Sequence, residues 1–252
     1  MTRDDLGTPF DPARPPARVV SLVPSLTESV ATTRPEVLVG ATDWCTHPVD
    51  LGVPRVRGTK NPNLEAIKAL RPDVVLANKE ENRELDVRRL REAGISVWVT
   101  VTESVPGALT SLRRMITHCL QRPTPPWLDE AVRIWDRPVR PVRARTAIPI
   151  WRDPWMVVGS STFTGDLVRR LGIENIFDTH PQRYPHVDLA ELQEADLDFV
   201  LLPDEPYPFT PDDGPEAFPG MRSVLVNGRL LTWYGPSLVT AYDELTSSTL
   251  NG

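Results

Sequence analysis

Cys45 and His47 form a Cys-x-His pair inside the polar stretch Thr42-Asp43-Trp44-Cys45-Thr46-His47-Pro48. Both are metal-ligand types, but two ligands do not close a zinc site, and no third is evident nearby in the sequence. A structural role for the pair outweighs the metal reading. The narrower metal option is an axial bond from His47 to a bound cobalt or iron, with His186, beside Tyr184, as a second candidate. His118 and His180 read as ordinary histidines. Asp43, His47 and Ser25 have the residue types of a nucleophilic triad, yet nothing in their spacing brings them together. The patterns G-x-S-x-G, H-E-x-x-H and G-x-x-x-x-G-K-[ST] are all missing. Binding is therefore expected rather than catalysis. A metal-dependent enzyme built on Cys45, His47 and His186 remains the competing reading.

Binding chemistry has better material. Trp44 sits in a polar loop, and a loop tryptophan offers a large contact area at low entropic cost to a flat ligand. Its bland alternative is packing under its own loop. Trp155, Trp233 and Tyr234 are candidates for an opposite wall, or for plain core. Ser25 and the pair Ser161-Thr162 stand just before expected helices, where backbone N–H groups favour a phosphate or propionate; simple capping explains them equally well. Thr59, Lys60, Lys79, Arg152 and Arg183 lie on expected loops and could meet carboxylates or phosphate. Asp204 and Glu205 could accept hydrogen bonds from ligand amides, or be surface charges.

The elements that must carry these residues alternate as strand and helix. The segment Asn63–Ala77, NLEAIKALRPDVVLA, reads as a short helix, a Pro-Asp turn and a buried strand, with Asn63 as the helix cap. A degenerate copy, DLAELQEADLDFVLL, runs from Asp188 to Leu202, displaced by 125 positions. A second pair, VVSLVPSLTE (Val19–Glu28) and VVGSSTFTGD (Val157–Asp166), extends the repeat. The alternation predicts two Rossmann-like α/β lobes with mostly parallel sheets, joined by a helical strut. The expected division is an extended arm over 1–17, a lobe over 18–122, the strut over 123–143 and a second lobe over 144–252. In such sheets ligands bind beyond the carboxyl ends of the strands. The cleft between the lobes is thus the expected site. Arg83–Ala93 is expected as a helix with Leu85 and Leu90 inward. Asn227-Gly228 is expected to turn a hairpin between Val224–Val226 and Leu230–Trp233.

Composition narrows the classes. Forty per cent hydrophobic and 25% charged residues suit a water-soluble globular chain, and the net charge of −6 with no basic block argues against nucleic acid as a partner. No run approaches a membrane span. The first residues contain no apolar signal core, so the expectation is a cytoplasmic location, with a periplasmic or cell-surface one if a leader has been removed. The two cysteines are expected to be reduced thiols. A monomer is expected. The 27 prolines, about twice the usual share, cluster at 9–16, 123–126, 138–141 and 203–219.

Three segments in order, RVVSLVPSLTE, LVGATDWCTHP and GTKNPNLEAIKALRPDVVLA, resemble the cobalamin-binding, helical-backbone (class III) substrate-binding proteins of ABC importers. That group also includes siderophore and haem binders. VVGSSTFTGDLVRRLGIENIF and YPHVDLAELQEADLDFVLL resemble its second half, so the likeness spans roughly residues 18–245. It implies non-catalytic binding of a corrinoid or another metal chelate between the lobes. It also implies permease docking through one glutamate per lobe. Glu65 matches the first; Ala190 stands at the second, with Glu191 beside it, which leaves a permease partner doubtful. A cytoplasmic relative that binds the ligand without feeding a transporter is the resulting expectation, with a haem- or ferric-siderophore-binding importer component as its alternative.

Overall fold

The computed structural model describes residues Thr2–Leu250; Met1 and Asn251–Gly252, at the ends of the expected arm and second lobe, lie outside the described residues. The chain divides into two compact units. One comprises 1–102, 107–131 and 234–236; the other comprises 103–106, 132–233 and 237–252. The long second-unit segment 132–233 is entered within one helix, between Ala131 and Val132.

The first unit opens with a small antiparallel pair, β1 (Thr2–Arg3) and β2 (Pro9–Phe10). The arm expected over 1–17 is thus folded back at its start, because Asp4 is drawn inside. Its carboxylate accepts from the Leu6 and Thr8 amides, from the Val99 amide and from Arg91. Then follow β3 (Val19–Ser21), α1 (Pro24–Thr33), β4 (Leu38–Ala41), α2 (Leu64–Ala69), β5 (Val74–Asn78), α3 (Glu84–Glu92) and β6 (Val97–Thr100). Pro24 occupies the first turn of α1, where its missing N–H costs nothing. Asn63 caps α2 through Oδ1, as its position predicts. Gly94 ends α3 at φ +79°, a left-handed conformation that glycine adopts without strain. Within α3 the buried face is Val87 and Leu90; Leu85, expected inward, is 42% exposed, since it falls on the opposite side of the helix. α4 (Val105–Arg114) continues through a π turn at Met115–Cys119, and α5 (Pro126–Trp135) follows.

The second unit contains β7 (Ala144–Ala147), β8 (Pro149–Trp151), β9 (Met156–Val157), α6 (Phe163–Arg170), β10 (Ile173–Asn175), α7 (Leu189–Glu194), β11 (Phe199–Pro203), β12 (Ser223–Val226), α8 (Gly228–Thr232) and α9 (Leu238–Leu250). The hairpin expected around Asn227-Gly228 is replaced by a helix start: the Asn227 side chain accepts from the Arg229 amide and caps α8.

The sheets settle the repeat. The first is ordered β4-β3-β5-β6 and the second β10-β7-β11-β12, and every neighbour pair in both is parallel. With the strands of each sheet numbered among themselves in chain order, both sheets run second, first, third, fourth. The 125-position displacement carries α2 onto α7 and β5 onto β11 residue for residue. The other pairing is corrected: Val157 lies in the antiparallel β8–β9 ribbon, and the true counterpart of β3 is β7. The ribbon is an insertion between the first strand and first helix, which shifted the apparent match. Each unit buries its own core, Val20, Leu22, Ile67, Val75 and Leu90 in the first, and Ala147, Trp155, Leu192, Val200 and Phe218 in the second.

Candidate functional site

Because β3, β4, β5 and β6 are parallel, the loops after them leave one edge of the first sheet. A buried amide pair knits these loops. Asn78 donates to the Thr100 and Thr102 hydroxyls at 3.2 and 3.1 Å, and its Oδ1 accepts from the Glu80 and Glu81 amides. Asn82 accepts from the Asn78 amide at 2.9 Å and donates to the carbonyls of Leu22, at 3.3 Å, and Thr59, at 3.0 Å. One side chain thereby joins the loop after β3, the loop before α2 and the end of β5. Lys60 adds a bond from Nζ to the Glu80 carbonyl. Sequence reasoning missed Asn78 and Asn82; their spacing of four at a strand end was the available signal.

Ser25 is buried, and its Oγ accepts from the Tyr234 amide at 3.3 Å. Tyr234 is buried as well and donates its phenol to Glu81 at 2.9 Å. Burial, then the Glu81 charge, pushes that phenol well above its ordinary range. Trp44 differs from these: it is 66% exposed. Thr59 is half-buried, and Lys60 and Lys79 are exposed at the same edge. The Cys45 thiol is buried between the hydroxyls of Thr27, at 3.0 Å, and Thr42, at 3.1 Å, and burial raises its pKa. His47 is half-buried, with Nδ1 3.2 Å from the Thr46 hydroxyl. Among the described residues no group of three His, Cys, Asp or Glu gathers to hold a metal ion. Glu65 is exposed in the first turn of α2 and pairs with Lys68 at 2.9 Å.

In the second unit, Arg152 pairs with Asp213 and with Glu216, at 2.6 Å for the latter, and lies 5.2 Å over the Trp155 ring. Trp155 is buried against Phe209 and Phe218. Thr162 caps α6, accepting from Gly165 at 3.1 Å, while Ser161 beside it is exposed. Tyr184 is half-buried, and His186 is exposed. Arg183 pairs with Glu103 at 3.1 Å. Asp204 accepts from the Gly228 amide at 2.6 Å, and Glu205 accepts from Thr232 at 3.1 Å. Burial raises the Glu205 pKa, against the hydrogen bonds from Thr232 and Trp233. Trp233 is buried. The rings of Trp155, Trp233 and Tyr234 are thus taken up in packing, and of these four candidate rings Trp44 is presented to solvent.

Two parallel four-stranded sheets of identical order, with polar loops at their carboxyl edges, define an α/β fold built from two repeated units. No family model matches the sequence. The vitamin B12-binding protein of Pectobacterium carotovorum is 24% identical over 203 residues, which cover 76% of this chain and 72% of that protein. Among solved structures, CeuE of Helicobacter pylori, in a Ni-His complex, superposes with a TM-score of 0.84 at 13% identity, covering 99% of this chain and 88% of that one. A periplasmic heme binding protein from Pseudomonas aeruginosa gives 0.76 at 20% identity, with 94% of each chain covered. The resemblance to class III substrate-binding proteins is borne out, as are the fold class and the expectation of a binding protein rather than an enzyme. The cytoplasmic location is corrected: similar solved structures are named as periplasmic proteins, which points to the periplasm. The expectation rested on the lack of an apolar signal core in the first residues, which is a poor guide to location.

Proposed function

We propose that the protein binds a corrinoid or a related metal chelate as the ligand-capturing component of an importer. The observation that carries this reading is Trp44, exposed on the loop after β4 at the carboxyl edge of a parallel sheet. Aromatic faces suit flat macrocycles, and a few oriented polar groups suit their rims. Thr59, Lys60 and Lys79 are the polar groups of that edge. In the second unit Ser161, Tyr184, Asp204 and Glu205 are assigned to the ligand on the same grounds, being on loops beyond strand ends. The relatives named for vitamin B12 support the corrinoid.

A haem or ferric siderophore is the second reading, favoured by solved structures of this fold named for heme. His47 or His186 would then supply an axial nitrogen. Glu65 is assigned to permease docking because it matches the first docking glutamate of the resembled class; it stands exposed in the first turn of α2. The test is titration of the purified protein with cyanocobalamin, haemin and a ferric siderophore, followed by absorbance and calorimetry. Saturable binding of one of them, weakened by Trp44→Ala, is expected. No saturable binding of any of the three overturns the reading.

A further inference from the structure

Trp44 is exposed, yet little around it is loose. The Asp43 amide donates to the Arg57 carbonyl at 3.0 Å, tying the loop after β4 to the chain before α2. Cys45, the next residue, is buried with its thiol between Thr27 and Thr42. The backbone of Trp44 is therefore held on both sides. Its indole has a seat as well. A Cβ placed on Gly58 would stand 3.2 Å from Trp44 Nε1 and 2.5 Å from Asn61 Oδ1. The space that any other side chain would fill at position 58 is occupied by the indole edge and the Asn61 amide. Gly58 is buried and has no left-handed φ, so its backbone conformation does not require glycine, and the room it leaves is filled by these two side chains.

We propose that Gly58 is a positioning residue for the ligand-facing surface of Trp44: by leaving room for the indole edge, it sets the ring in one orientation before the ligand arrives. This rests on the assignment of Trp44 to the ligand. A preset ring loses less rotamer freedom on binding than a mobile one, so removing the seat weakens binding without removing the ring. Asn61 shares the space, and its side chain can swing away, so Gly58→Ala is expected to fold.

The experiment is a double-mutant cycle with cyanocobalamin and haemin as probes. Trp44→Ala is expected to weaken binding about tenfold, and Gly58→Ala about threefold. In the Trp44→Ala background, Gly58→Ala is expected to change affinity less than about twofold, because a residue that acts through another has nothing left to act on. Near-ultraviolet circular dichroism without ligand gives a second readout: the band lost in Trp44→Ala should be altered in Gly58→Ala. An unaltered band, or an equal loss of affinity in both backgrounds, overturns the seat while leaving the ligand reading intact. Wild-type affinity in Trp44→Ala overturns the assignment of Trp44 instead, and this inference with it.

Discussion

Tyr234 donates its phenolic hydrogen to Glu81 at 2.9 Å across 153 positions of sequence, and both belong to the first unit. The short return of the chain at 234–236 is fastened there by this bond and by the Ser25 hydroxyl. Tyr234→Phe is expected to cost about 1.5 kcal/mol, as for a hydrogen bond to a charged group. The sign with pH follows from the raised phenol. Its stabilisation is fully present below the unfolded pKa near 10 and is lost as the pH rises from there toward the folded value. Urea unfolding of both proteins should show a gap that is constant up to about pH 9 and narrows as the pH rises past about 10. A gap of constant width would contradict the assignment.

Trp44 and Trp155 should part company on mutation. Trp44→Ala removes a ring that is 66% exposed and should change stability by less than about 0.5 kcal/mol. Trp155→Ala empties a position 6% exposed, stacked 6.0 Å from Phe209, and should cost about 3–5 kcal/mol. Thermal unfolding of the two variants decides this; equal losses would mean that the Trp44 loop packs elsewhere in solution.

Asn82 should tolerate alanine better than aspartate. Its amide donates to two carbonyls, Leu22 and Thr59, while its oxygen accepts from Asn78. Asn82→Ala is expected to cost about 2 kcal/mol through lost bonds. Asn82→Asp keeps the acceptor but turns a second oxygen toward those carbonyls, and should cost more. Equilibrium unfolding in urea measures the order, and a more stable aspartate variant would refute the network.

Asp4 holds the opening turn against the edge strand β6. Its side chain is 1% exposed and serves Arg91 at 2.9 Å and the Val99 amide at 3.2 Å. Asp4→Ala should cost about 3 kcal/mol, because Arg91 and two turn amides lose their acceptor together. Asp4→Asn, which keeps an acceptor oxygen, should cost less. Urea midpoints of the two variants test this, and an unchanged Asp4→Ala midpoint would sink it.

Much of the fold was legible in the chain. Leu64, Ile67 and the Val74–Ala77 run predicted a short helix and a buried strand, and the copy 125 positions later predicted their repetition. These signals are local: helix and strand periods and caps are written in neighbouring residues. Asn63 was recognised as a cap for the same reason. The inserted β8–β9 ribbon was not, because Met156–Val158 has the composition of any strand and its partner strand is a matter of pairing.

The candidate site was legible only in part. Residue order alone determined that polar loops with tryptophans follow several strands, and that the chain resembles ligand-binding proteins of one class. Only the tertiary structure decided that Trp44 is bare while Trp155 and Trp233 are covered, that Arg152 is held by Asp213 and Glu216, and that Asn82 and Tyr234 reach partners 60 and 153 positions away. Burial and long-range hydrogen bonds depend on what the rest of the chain packs against a residue, and its neighbours in sequence do not carry that information.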